Sequence, residues 1–217
     1  MPKYGLVTLY TAVKPKADIV FVHGLRDRYL WPRDFLAADL KNSRIMSFGY
    51  DSNIIYSDTA EVTQGSLESD ARSLCALLSA ERSTPDSKDQ PIILVAHSLG
   101  GLVCTEAIVL GERNATGDSV QSIAKRVNGI VFLGTPFAGL NLAKWGDIIR
   151  AIFNVTIRKR NNTTGRVRIV FFYETLPTHG VMVFASNNDN GYKVVKEKIV
   201  KMMQGCQEDN LWRYHLS

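Results

Sequence analysis

The segment from Ile92 to Val103 limits the folds open to this chain more than any other part of the sequence. A run of apolar residues leads into a turn of the type small-x-Ser-x-Gly and then into a second apolar stretch with helix-compatible spacing. A strand that ends in such a turn and continues as a helix is typical of a nucleophile elbow. The serine there needs a strained backbone and small neighbours two residues away, and Ala96 and Gly100 meet that need. We therefore predict Ser98 as a nucleophile.

Two backbone N–H groups are candidates for stabilising negative charge beside Ser98. A helix that begins directly after the serine leaves the Leu99 N–H free to act as an oxyanion donor. An earlier apolar run ends in His23-Gly24, and the glycine lets the chain turn so that the Leu25 N–H faces the serine. We interpret His23 and His97 as structural, because an elbow of this type orders its catalytic residues serine, acid, histidine along the chain.

The remaining sequence alternates short apolar runs with segments of helical spacing, which predicts an α/β fold with a mostly parallel sheet and helices on both faces. Strands are predicted near Tyr4–Tyr10, Asp18–Val22, Arg44–Phe48, Pro91–Val95, Gly129–Leu133, Val167–Tyr173 and Val181–Phe184. Helices are predicted from Leu67 to Leu78, with Ser66 as N-cap, and from Tyr192 to Met202. Asp86–Asp89 and Asn161–Gly165 are predicted to be exposed loops.

Length and composition bound the class of protein. With 217 residues, 45% of them hydrophobic and 22% charged, we expect one globular domain over residues 1–217. No apolar run approaches the ~20 residues of a spanning helix, and no signal peptide follows Met1, so we expect an intracellular protein. The three cysteines, Cys75, Cys104 and Cys206, are widely spaced and predicted to be reduced thiols. We predict no bound cofactor or metal.

The formal net charge of +5 comes partly from two basic clusters, Arg158–Arg168 and Lys193–Lys201. Neither cluster is interleaved with aromatic residues, so nucleic acid is not an expected partner. The clusters are interpreted first as a solvated loop and a solvated helix face, and the alternative for Arg158–Arg168 is peripheral contact with anionic lipid headgroups.

With these motifs in place, the chain resembles the serine-active-site-containing proteins, a family of lipase-like serine esterases with the α/β-hydrolase fold, and more distantly the GPI inositol deacylases. Similar domains occur in fungal multidomain signalling proteins, and the chain resembles a shortened fungal member. The resemblance implies a small-molecule or lipid ester substrate, and a location in the cytoplasm or at mitochondrial or endoplasmic reticulum membranes. The matching segments are Asp18–Leu25, Trp31–Leu36, Arg44–Asp51, Ile92–Val103, Ile130–Gly139 and Phe171–Thr175.

The resemblance also implies further site residues. The acid of the family follows the strand after the Gly-Thr-Pro strand, and Glu174 holds that position here, with Asp189 as the alternative acid. A purely structural carboxylate at residue 174 is a further alternative. Gly134-Thr135-Pro136 is expected to shape the floor of the acyl pocket.

The chain departs from the family at two loops, and these departures leave two interpretations of its function open. The loop near residues 26–30 is short, and the loop that carries the family's base histidine is missing near residues 183–184. Only His179 and His215 follow Glu174, and His215 is the candidate base. The chain is therefore a serine esterase that uses Ser98, Glu174 and His215, or a hydrolase-fold module with impaired catalysis that serves binding or signalling.

Overall fold

The computed structural model describes residues 4–23, 37–50, 64–113, 118–135 and 168–172, together with residues 197 and 199. The elements in chain order are β1 (Gly5–Thr11), β2 (Ala17–Val22), β3 (Ser43–Gly49), α1 (Gln64–Glu81), α2 (Pro85–Lys88), β4 (Ile92–His97), α3 (Gly100–Arg113), α4 (Ser119–Arg126), β5 (Val127–Leu133) and β6 (Arg168–Phe172). Six of the predicted strands are confirmed, each to within two residues at either end. The seventh, Val181–Phe184, lies outside the described residues, as does the loop Asn161–Gly165.

The described strands form one sheet in the order β1-β3-β2-β4-β5-β6. β1 runs antiparallel to β3, whereas β3, β2, β4, β5 and β6 pair in parallel. The carboxyl ends of these five strands therefore share one edge of the sheet. The prediction of a mostly parallel sheet is confirmed.

Alternating side chains of each central strand enter two separate cores. In β4, Ile92 and Leu94 pack with residues of α1, α3 and α4, whereas Ile93 and Val95 pack with Leu40 and Ile199 on the other face. This period of two is the geometry of a strand whose faces are both covered. Residue 199 is helical and fully buried, so helices cover both faces as predicted.

Two local predictions were wrong. Ser66 is not an N-cap, because α1 already begins at Gln64. The apolar spacing starts at Leu67, so it could not show that the helix begins three residues earlier. The segment Asp86–Asp89 is not simply an exposed loop, since Pro85–Lys88 forms the short helix α2. Ser87 is buried there and donates a hydrogen bond to the Thr84 carbonyl oxygen at 3.0 Å, which removes the cost of burying its hydroxyl.

A buried ion cluster ties together the amino ends of the central strands. The fully buried carboxylate of Asp18 accepts hydrogen bonds from Arg44 Nε at 2.8 Å and Nη2 at 3.0 Å, and a third from Arg82 Nη1. Arg82 Nη2 also donates to the carbonyl oxygens of Lys88 at 3.2 Å and Gln90 at 2.5 Å. The cluster therefore joins β2, β3, the end of α1 and the entrance to β4 at the sheet edge opposite Ser98.

The ion cluster predicts a large loss of stability for Asp18→Asn, which leaves two buried guanidinium groups facing a neutral amide. We expect the free energy of unfolding, measured by urea titration, to fall by about 3–5 kcal/mol. Asp89→Asn is the matched control, because it breaks the exposed ion pair with Arg126 and should cost less than about 1 kcal/mol. Equal losses for the two variants would contradict the assignment.

Two buried thiols lie in neighbouring helices. Cys75 of α1 and Cys104 of α3 are free and buried, which confirms the prediction for these two, whereas Cys206 lies outside the described residues. Burial is the main cause that raises the pKa of Cys75 to about 12, with a smaller contribution from the charge of Asp118. Burial likewise raises the pKa of Cys104 above its ordinary value.

The raised thiol pKa values predict that stability falls in alkaline solution. In the unfolded chain the thiols ionise near their ordinary pKa of 9.0, whereas the folded chain keeps them protonated up to higher pH. The folded state thus binds more protons, and each thiol should lower the free energy of unfolding by roughly 1 kcal/mol per pH unit above about pH 9. Urea titrations of the wild type and Cys75→Ala/Cys104→Ala should show a shallower fall for the variant. Parallel curves would refute the prediction.

Candidate active site

Ser98 lies at the turn between β4 and α3, so the predicted strand–turn–helix is confirmed around it. Its φ angle is 53°, and among the described residues it alone combines a positive φ with a side chain. A non-glycine residue in this left-handed region costs roughly 1–2 kcal/mol. Such strain persists only where the surroundings impose it.

Hydrogen bonds on both sides of Ser98 hold the strained conformation. The Ser98 N–H donates to the carbonyl oxygen of Leu133, the last residue of β5, at 2.9 Å. The Ser98 carbonyl oxygen accepts from the Gly101 N–H at 3.0 Å, and the Leu99 carbonyl oxygen accepts from Leu102 at the same distance. The turn is thus bonded to the neighbouring strand on one side and to the first turn of α3 on the other.

The two glycines that open α3 allow a close approach to the sheet. A methyl group on Gly100 would lie 2.8 Å from the carbonyl carbon of Val22 and closer still to its oxygen. The small residue predicted after the serine is therefore required by the end of β2. Gly101 faces a similar restriction from Thr135, and sequence reasoning missed this second requirement although the Gly-Gly pair signals it.

The Leu99 N–H lies at the amino end of a helix of 14 residues, where backbone donors and the helix dipole favour negative charge. Among the described residues, nothing accepts a hydrogen bond from it. Leu25, the other predicted donor, lies outside the described residues. Its strand, β2, ends with Val22 paired to Ala96 of β4, so the chain leaves the sheet directly beside the elbow.

The two histidines interpreted as structural lie at strand ends: His97 closes β4, and His23 directly follows β2. His97 is the last residue of β4 and pairs with Leu133 of β5, and the His23 N–H donates to the Phe48 carbonyl oxygen at 3.4 Å. The predicted acid and base, Glu174 and His215, lie outside the described residues, as do Asp189 and His179. β6 ends at Phe172, so the strand that precedes Glu174 reaches the same sheet edge as Ser98.

In the part of the chain that the structure describes, no group of three or more His, Cys, Asp and Glu side chains could hold a metal ion. No helix within those same residues is long and apolar enough to cross a membrane.

Comparisons with known proteins give both a family and a fold. A family profile described as "Alpha/beta hydrolase family" matches residues 19–193. Protein SERAC1 of Danio rerio is 30% identical over 165 residues, which cover 62% of this chain and 24% of that protein. The chain therefore spans about a quarter of the length of this curated relative.

Two solved structures share the fold at low sequence identity. Protein Atu2452 of Agrobacterium tumefaciens, of unknown function, gives a TM-score of 0.54 at 12% identity and covers 92% of this chain and 96% of its own. Esterase B of Lactobacillus rhamnosis, solved with a tributyrin phosphonate inhibitor, gives a TM-score of 0.50 at 10% identity and covers 92% and 79%. At such identities the likeness is one of fold alone.

The strain at Ser98 predicts an inverted preference between glycine and alanine. Ser98→Gly removes the Cβ atom that makes a φ of 53° costly, whereas Ser98→Ala keeps it. Glycine loses more conformational entropy on folding, which offsets part of this gain. We therefore expect the Ser98→Gly variant to be more stable than Ser98→Ala by about 1 kcal/mol.

Ser73 is the matched control, because it is an exposed serine inside α1. There Ser73→Gly should be less stable than Ser73→Ala by about 1 kcal/mol. Urea titration of the four variants measures both differences, and the same order at both positions would contradict strain at Ser98.

Proposed function

The chain belongs to the α/β-hydrolase family, and we propose that within it this protein is a serine hydrolase that cleaves carboxylic esters, with lipid esters as its substrate class. The observation that carries the proposal is the left-handed backbone of Ser98 at the carboxyl edge of the sheet, directly before α3. A fold holds a non-glycine residue in such a conformation at a cost in stability, and strain of this kind clusters at active sites. The family resemblance supports the ester and lipid substrate class.

The proposed reaction follows the order of covalent serine catalysis. Ser98 Oγ forms a bond to the carbonyl carbon of the ester while its proton passes to His215, and Glu174 orients that histidine. The carbonyl oxygen carries the negative charge of the tetrahedral intermediate and accepts hydrogen bonds from the N–H groups of Leu99 and Leu25. The alcohol leaves with the proton, and water then cleaves the acyl-serine ester. Of these groups, Ser98 and Leu99 lie in the described residues.

A second candidate function rests on the base. By the family resemblance, the loop that carries the base histidine is missing from this chain, and only His179 and His215 follow Glu174. Without a base the serine hydroxyl stays protonated and weakly nucleophilic near neutral pH. The protein would then be a hydrolase-fold module that binds an ester or a signalling partner with little turnover.

The proposal includes contact with anionic membranes. Residues 158–167 of the cluster Arg158–Arg168 lie outside the described residues and Arg168 begins β6, and the concentration of positive charge in the cluster supports the contact. A location in the cytoplasm or at mitochondrial or endoplasmic reticulum membranes is part of the same proposal and rests on the family resemblance.

The central test combines active-site labelling with turnover. We expect a fluorophosphonate probe to label the wild type at Ser98, and Ser98→Ala to abolish both labelling and hydrolysis of a short-chain p-nitrophenyl ester. Tributyrin is a suitable second substrate, because a phosphonate analogue of it inhibits Esterase B, a protein of the same fold. Removing one member of a catalytic triad should lower turnover by roughly 10⁴-fold or more.

His215→Ala and His179→Ala form the matched pair for the base. Loss of turnover in the first variant alone would identify His215 as the base. Labelling with slow turnover that neither substitution changes would favour the binding module instead. A wild type that the probe does not label would refute the serine hydrolase.

A further inference from the structure

The end of β5 contacts the elbow at a second point, beyond the hydrogen bond from Ser98. After Leu133 the chain turns through Gly134, with a φ of 54°, and Thr135 follows as a buried residue that is 7% exposed. The side chain of Thr135 lies against the backbone of Gly101, in the first turn of α3. A methyl group on Gly101 would be 2.8 Å from Thr135 Cβ and closer still to Oγ1 and Cγ2.

The residue that Thr135 contacts is itself bonded to the nucleophile. The Gly101 N–H donates to the carbonyl oxygen of Ser98 at 3.0 Å, and the Ser98 N–H donates to Leu133 at 2.9 Å. The elbow therefore contacts both Leu133, the last residue of β5, and Thr135, two residues beyond it. A shift of the first turn of α3 toward or away from β5 would move Ser98 and the Leu99 N–H with it.

We propose that Thr135 is a positioning residue, whose side chain fixes the first turn of α3 and thereby the placement of Ser98 Oγ and the Leu99 N–H for reaction. This inference rests on the proposed serine hydrolase and adds a determinant of its geometry. The sequence alone assigned Thr135 only to the floor of an acyl pocket. Its contact with Gly101 instead relates it to the backbone that carries the nucleophile.

The shape of Thr135, rather than its hydroxyl group, carries this role. Thr135 Oγ1 is buried and has no hydrogen-bond partner among the described residues. An unpaired buried hydroxyl costs stability and adds no directional bond to the helix. Valine has nearly the same volume and branching without the hydroxyl, so it should hold the turn equally well.

Four variants test the contact by its volume. Thr135→Val should keep the rate of fluorophosphonate labelling and the ester kcat within about twofold, with an unchanged or higher Tm. Thr135→Ala should lower both rates by about tenfold with little change in KM, because small displacements of reacting groups are costly in rate.

Gly101→Ala should lower the labelling rate and the ester kcat by roughly a hundredfold, as for a lost oxyanion donor. Gly101→Ala/Thr135→Gly should recover at least about tenfold of that loss, since it removes the three atoms nearest to the new methyl group, Thr135 Oγ1, Cγ2 and Cβ.

Gly111→Ala is the matched control for a general packing defect. Gly111 lies near the carboxyl end of α3, far along the helix from Ser98. A methyl group on it would overlap the side chain of Ala124 in α4. It should lower the Tm as Gly101→Ala does, while the labelling rate per folded molecule stays at the wild-type value. An equal loss of rate in Gly111→Ala would make the Gly101 effect one of stability and overturn the inference.

The remaining outcomes separate this inference from the function on which it rests. A wild type that the probe does not label would refute the serine hydrolase and the inference together. A labelled wild type with Thr135→Ala reacting at the same rate would refute the positioning role alone. A loss in Thr135→Val as large as in Thr135→Ala would assign the role to the hydroxyl and overturn the argument from shape.

Discussion

The hydrogen bond from the Ser98 N–H to the Leu133 carbonyl oxygen is the interaction on which the geometry of the site depends. It continues the pairing of β4 with β5 and holds the turn after β4 against the end of β5, where the serine has a left-handed backbone. Helix α3 must then begin close to the sheet, which only residues without a side chain permit at positions 100 and 101. The strained residue, the two glycines and the amino end of the helix therefore meet within the one short connection between β4 and α3.

The two edges of the sheet have opposite characters. At the amino edge, Asp18 and two arginines form a buried, mutually satisfied ion cluster that joins strands to the end of α1. At the carboxyl edge, Ser98 is strained and the Leu99 N–H has no acceptor among the described residues. The buried ion cluster thus lies at the opposite edge of the sheet from the strained residue, as is usual when strain at one place is offset elsewhere.

Local sequence patterns predicted an element correctly where the residues of that element themselves cause it to form. Continuous apolar runs such as Ile92 to Val95 predicted buried parallel strands, because both faces of such strands exclude water. The same signals failed at Ser66 and at Asp86–Asp89. The two residues before Leu67 in α1, Gly65 and Ser66, are not buried and carry no apolar signal. The burial of Ser87 depends on a hydrogen bond to Thr84 that composition does not reveal.

The sequence by itself determined the α/β class, the strand–turn–helix around Ser98 and the need for a small residue at position 100, because these follow from apolar pattern and backbone sterics within one short segment. Only the tertiary structure decided the strand order, the pairing of Asp18 with Arg44 and Arg82, and the contact of Thr135 with Gly101. Each of these joins residues from 26 to 64 positions apart, or strands that are not consecutive in the chain. Such contacts form only when the sheet brings distant segments together, and no local pattern records which segments will meet.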